Sequence, residues 1–223
     1  MDWDTWHGQY DDPDSWLAQR LRAVQARIRE VLDGSPPGPV RVISLCAGQG
    51  RDLLEVLAEH PRRADVRARL VELDPRNTEQ ARAAARAAGL DGVEVVTGDA
   101  SLTDHYRGMA PADLVLICGL FGNITDAHIE RTIDTAPQLC ATGGTVIWTR
   151  GRTPVADRVP MVCEWFEKRG FERRWLSEPD VGYGLGVHRF HGEPQPLAEG
   201  RGMFDFVGYY ALQQSEQSEQ SER

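Results

Sequence analysis

Val40-Arg41-Val42-Ile43-Ser44-Leu45-Cys46-Ala47-Gly48-Gln49-Gly50-Arg51-Asp52 is the stretch on which the fold turns. Its first six residues are apolar and β-branched enough to predict a strand over Val40–Leu45. Gly48 and Gly50, flanking one residue, let the backbone turn sharply and approach a ligand closely. A helix follows from about Asp52 to Glu59. It ends at His60-Pro61, because the residue before a proline avoids helical geometry.

The same order of strand, loop and helix repeats down the chain. Strands are predicted over Arg69–Leu73, Val93–Thr97, Asp113–Cys118 and Gly144–Thr149. Phe171–Leu176 and Leu185–Phe190 form a final antiparallel pair. The helices between them run from Asp74-Pro75 to a glycine stop at Gly89, from about Thr125 to Cys140, and from Val159 to Arg169. Such alternation implies an α/β fold: a doubly wound, mostly parallel seven-stranded sheet with helices on both faces and an antiparallel terminal strand. Ligands then bind at the carboxyl ends of the strands near the switch point, which directs attention to Cys46–Arg51, Glu72–Asp74, Asp99–Ala100 and Cys118–Asn123.

Flanking regions divide the chain into an N-terminal extension (1–39), a main domain (40–212) and a Ser/Glu/Gln-rich tail (213–223). The tail has nothing apolar to bury and is expected to be disordered. In the extension, Leu17, Leu21, Val24, Ile28 and Val31 mark one face of a helix capped by Asp14 or Ser15. Arginines 20, 22, 27 and 29 fall largely off that face. The aromatic segment Trp3-x-x-Trp6-His7-x-x-Tyr10 ahead of it should dock rather than fray.

Bulk properties narrow the function. With 41% hydrophobic and 26% charged residues the composition is that of an ordinary globular domain. No apolar run approaches a bilayer span, and the acidic start lacks the features of a signal peptide, so a cytoplasmic location without membrane contact is expected. A net charge of −9 disfavours a nucleic-acid partner, which needs a basic face. Cys46, Cys118, Cys140 and Cys163 lack Cys-x-x-Cys spacing, which argues against zinc and disulfides alike, and no metal-binding cluster is evident.

The loops carry the chemistry. A dinucleotide fingerprint needs a third glycine where Leu53 stands, so a nicotinamide oxidoreductase is disfavoured. Glu72, at the end of the second strand, can accept hydrogen bonds from both hydroxyls of a ribose. Asp99, after the third strand, can accept one from the exocyclic amine of adenine.

Over residues 40–192 the chain resembles the class I, Rossmann-like S-adenosylmethionine-dependent methyltransferases. The matching stretches are Val42–Gly50, Leu70–Pro75, Val95–Ala100 and Asp113–Cys118. The resemblance implies that Cys46, Ala47, Gly48, Gln49 and Gly50 hold the methionine part of the cofactor. It implies too that Glu72 binds the ribose, that Leu73 packs on the adenine, and that Asp99 and Ala100 read the adenine edge. Cys118, Gly119 and Leu120 would pass near the sulfonium. Ser44 stands where the family usually has an acid and Cys46 where it usually has a glycine. Asp52 can supply the missing negative charge, or simply serve the helix start.

The expected function is methyl transfer to a small-molecule acceptor. The alternative is a cofactor-binding or interaction protein of the same fold with weak or no catalysis. Candidate bases are His7 and Tyr10 on the N-terminal segment, then Tyr183 and His188 on the terminal hairpin. The N-terminal segment and the connection 178–187 are the expected specificity elements.

Overall fold

β1 (Val40–Leu45) occupies the middle of a seven-stranded sheet because all of its residues but Arg41 are buried, the pattern of a strand covered on both faces. The computed structural model describes residues 12, 14–152, 157–208 and 211–212. In chain order they form α1 (Trp16–Gly34), β1, α2 (Arg51–Glu59), β2 (Val66–Glu72), α3 (Pro75–Ala87), β3 (Val93–Thr97) and β4 (Ala112–Ile117). Then come α4 (Asp126–Leu139), β5 (Cys140–Gly151), α5 (Val159–Lys168), β6 (Phe171–Leu176) and β7 (Tyr183–Phe190). The sheet order is β3-β2-β1-β4-β5-β7-β6. β7 pairs antiparallel with both β5 and β6, and the other pairings are parallel. The expected doubly wound sheet and its antiparallel terminal strand are therefore both present. The chain reverses its direction of winding between β1 and β4, which places the switch-point crevice there.

Alternation along the strands sorts the core into two layers. Ile43, Leu45, Val115, Ile117 and Trp148 face α4 and α5, packing with Ile133, Val162 and Phe166. Val42, Leu114, Leu116 and Ile147 face the other helices, packing with Ile28 of α1, Leu53 and Leu57 of α2 and Ala81 of α3. Burying each large apolar side chain contributes about 1.5–3 kcal/mol, so both layers are needed to hold the central strands.

Ser15 rather than Asp14 caps α1, its hydroxyl accepting the Ala18 amide at 3.0 Å. Gln25 fastens this helix to α2, donating to the Arg51 carbonyl at 3.1 Å and to Glu55 at 2.7 Å. One expectation about α1 fails: Arg20 is only 8% exposed and lies on the buried side of the helix. Strand limits also shift. β2 begins at Val66 and β5 extends over Cys140–Gly151, because pairing with neighbours recruits polar residues that lack apolar periodicity.

Beyond β7 the described residues 191–208 hold no helix or strand, yet they are firmly tied down. Thr103 N–H donates to the Arg201 carbonyl at 3.0 Å, and Met203 N–H to the Ser101 carbonyl at 2.9 Å. The amides of Val207 and Gly208 both donate to the Asn123 carbonyl at 2.9 Å. Met203 and Phe204 are buried in the α4/α5 layer. Residues 198–208 thus form a strap joining the loop after β3 to the loop after β4.

Candidate functional site

The loops after β1, β2, β3 and β4 open into one cavity of about 670 Å³ at the carboxyl ends of these strands. Its floor is the turn after β1. There Cys46 adopts a left-handed φ of 49° and Gly48 one of 55°, which reverses the chain within a few residues. The Ala47 amide donates to the Val71 carbonyl at 3.0 Å, and the Gly50 amide to the Ala47 carbonyl at 2.8 Å.

Glu72 locks this turn from the side. One carboxylate oxygen accepts the Gly48 amide at 2.9 Å and the other accepts the Asp74 amide at 2.9 Å. Each carboxylate oxygen carries two acceptor directions, so both can still accept a hydroxyl from the cavity. Asp99 is similar: one oxygen accepts the Ser101 amide at 2.9 Å, which fixes the side chain and leaves its second oxygen available. After β4, the Gly119 amide donates to Thr149 Oγ1 at 2.8 Å, and Asn123 Nδ2 donates to the Gly119 carbonyl at 2.6 Å. The glycine, at φ 80°, is held in a conformation that other residues rarely adopt.

Of the residues expected to contact a cofactor, Cys46, Ala47, Gly48, Gln49, Asp52, Glu72, Leu73, Asp99, Ala100, Cys118 and Gly119 line the cavity. Gly50 and Leu120 do not. Gly50 starts α2 at φ 69°, and a Cβ on it would lie 2.6 Å from Leu70 Cδ2, so its glycine serves packing beneath the turn. Leu120 is wholly buried in the α4/α5 layer.

The candidate bases fare differently. His7 and Tyr10 lie outside the described residues. Tyr183 is buried in the layer shared with α1 and does not line the cavity; burial pushes its phenol up, against a lowering pull from Arg20 and Arg22. His188 is fully buried between Trp148 and Phe166, accepting the Trp148 indole N–H at 3.1 Å on Nδ1. Its Nε2 has no partner among the described residues, and burial pushes its pKa down to about 3. His188 is a neutral core histidine, because β7 turns it into the sheet's aromatic layer. None of residues 178–187 lines the cavity either.

Several lining residues escaped the sequence reading. Arg20, Leu21 and Val24 enter from α1, and Phe204 and Phe206 from the strap. Arg51 and Asp74 fall within the loops already identified, and Pro75, Arg76 and Asn77 extend the second of them. Gly202-Met203-Phe204-Asp205-Phe206 was the available sign of the strap, since two aromatics in a glycine-rich irregular stretch must find a surface to cover. At the cavity mouth Leu73 is 67% exposed and Phe206 48% exposed, apolar surface that a flat ring could cover.

Electrostatics limit the available chemistry. Burial raises the Cys46 thiol far above its ordinary value, with Glu72 and Asp99 adding to the shift. Burial and then Asp52 act on the Cys118 thiol in the same sense. Both stay protonated at neutral pH and are poor nucleophiles. Burial also pushes the Asp52 carboxyl up to about 6, against the pull of backbone amides and of Arg20.

Parallel strands, a glycine turn braced by an acid from the next strand, and a second acid after the third define a class I, Rossmann-like S-adenosylmethionine-dependent methyltransferase. Residues 13–165 match the family described as "Putative methyltransferase", and the chain belongs to that family. No curated protein matches it by sequence. Among solved structures, it is similar to the CurJ carbon methyltransferase, with TM-score 0.64 and 14% identity over 83% of this chain and 58% of that one. An O-methyltransferase family protein from Burkholderia thailandensis aligns with TM-score 0.59 and 19% identity, over 77% of this chain and 57% of that one. Precorrin-6y C5,15-methyltransferase from Geobacter metallireducens gives TM-score 0.54 and 13% identity, over 75% of this chain and 87% of that one. The chain thus spans less than two thirds of the first two, and at such identities the likeness is one of fold.

Proposed function

We propose that the cavity binds S-adenosylmethionine and a small-molecule acceptor side by side. The observation that carries this reading is the convergence of the four strand-end loops on one cavity, with Glu72 and Asp99 each keeping acceptor capacity toward it. The donor set suits the group. Glu72 would take the ribose hydroxyls, Asp99 the adenine amine, and Leu73 one face of the adenine ring. Cys46–Gln49 would follow the methionine chain, and Cys118 and Gly119 would flank the transferable methyl.

When bound, the sulfonium supplies an electrophilic methyl group, so the protein's contribution is alignment and exclusion of water. The braced turn and the fixed Gly119 loop hold two sides of the reaction centre rigid. Phe204 and Phe206 border it with apolar surface, which suits a compact organic acceptor. The net charge of −9 weighs against a polyanionic one. An acceptor atom that must lose a proton needs a base, for which His7 and Tyr10 remain our candidates. No helix among the described residues is long and apolar enough to cross a membrane, and the four cysteines are unpaired, in keeping with a reducing cytoplasm.

Thermal melting with S-adenosylmethionine, S-adenosylhomocysteine and NAD tests the cofactor, and isotopic methyl labelling of metabolite extracts tests the transfer. Stabilisation by the first two ligands and label in a small molecule are expected. Stabilisation by NAD alone would refute the reading. Binding without transfer would favour a cofactor-binding protein, which the departures at Ser44 and Cys46 make a specific alternative.

A further inference from the structure

α1 contributes to the cavity through Arg20, a charged residue almost wholly removed from solvent. The Trp16 ring lies 5.1 Å from the Arg20 guanidinium carbon. Across the same corner stands Asp52, on the first turn of α2, with one carboxylate oxygen held by the Leu53 amide at 2.8 Å. Arg20 and Asp52 act on each other electrostatically, and both act on Cys118, so the three share one end of the cavity. Ser44, where the family usually has an acid, is buried in β1 and does not line the cavity.

The amino-acid end of the cofactor is a zwitterion, one ammonium and one carboxylate on the same carbon. It needs an anion and a cation side by side, and Asp52 and Arg20 both line the cavity. We infer that Arg20 of α1 binds the cofactor's α-carboxylate while Asp52 of α2 takes its ammonium. The inference rests on the proposed cofactor and deepens it: the charge absent at position 44 is supplied from the next helix, and its counter-charge from the N-terminal extension. Burial pushes the Asp52 carboxyl up to about 6, so near that pH an arriving ammonium displaces the proton it partly holds.

The test compares S-adenosylhomocysteine with its decarboxylated analogue by calorimetry, on the full-length protein and on Arg20→Met, which keeps the aliphatic stem. A charge-assisted contact predicts that wild type prefers the carboxylate form about tenfold to hundredfold, and that Arg20→Met loses this preference while binding the analogue almost unchanged. Arg20→Lys, which keeps the charge without the planar fork, should retain part of the preference, and it serves also if the methionine variant does not fold. Binding near pH 6.5 should release protons in wild type and not in Asp52→Asn, read from the dependence of heat on buffer. Equal weakening of both ligands in Arg20→Met, or no discrimination by wild type, would overturn the inference and leave the cofactor reading intact. Failure of wild type to bind either nucleoside would overturn both.

Discussion

A glutamine at position 188 keeps an oxygen that can accept the Trp148 indole N–H but removes a group that titrates, which separates packing from proton linkage. His188 is wholly buried, stacked 4.9 Å from Phe166 and 6.0 Å from Trp148, and its pKa falls from 6.5 to about 3. Burial is the main cause, with the positive charge of Arg173 adding to it. Between these two values the unfolded chain binds a proton at this residue and the native protein does not. Stability therefore rises with pH through the window and is lost as the solution is acidified from pH 6.5 downward. Each unit of pH within the window is worth at most about 1.4 kcal/mol, so acidifying to about pH 5 removes about 2 kcal/mol through this residue alone. Urea unfolding at several pH values between about 5 and 7.5, on wild type and His188→Gln, measures the effect as a difference in slope. The variant should start less stable and lose less on acidification. Parallel loss of stability in the two proteins would refute the assignment of a neutral core histidine.

Two further substitutions probe the turn. Glu72→Gln places an amide where the carboxylate accepts the Gly48 and Asp74 amides, so one N–H loses its acceptor. It should cost about 1–3 kcal/mol of unfolding free energy without ligand and also diminish the melting shift produced by S-adenosylhomocysteine. A stability loss with an undiminished shift would confine Glu72 to bracing. At position 46, Ala keeps the left-handed strain of a non-glycine residue at φ 49° and Gly removes it, at some cost in chain entropy. Cys46→Gly should therefore unfold at higher urea than Cys46→Ala, the net gain being about 0.5–1 kcal/mol. The reverse order would mean that Cys46 rests there without strain.

What could be read directly was whatever is local in sequence. Val40–Leu45 announces a central strand, and Gly48, Glu72 and Asp99 each sit where a strand ends, so strand order alone carries them to one place. Gly50 misled because its type pointed to ligand contact, whereas its neighbours Leu70 and Leu54 need the missing side chain for packing. His188 misled because a histidine on the terminal hairpin offers a titratable group for a base. Insertion of β7 between β5 and β6 buries it, and no periodicity within the hairpin encodes that insertion.

The walls that close the cavity are of another kind. Arg20 enters the cavity from α1, which Gln25 helps to fasten to α2 by crossing to Arg51 and Glu55. Phe206 reaches the mouth through carbonyls of Ser101 and Asn123, far from it in sequence. Such contacts leave no periodic trace, since one glutamine and a few backbone amides suffice. They also lie on different footings: α1 is within the family match, whereas the strap lies beyond residue 165. The turn and its acids lie within that match, and the strap, tying the loop after β3 to the loop after β4, adds a further boundary to the cavity. A substitution that frees the strap should consequently disturb ligand binding at both ends of the cavity together, rather than at the Asp99 end alone.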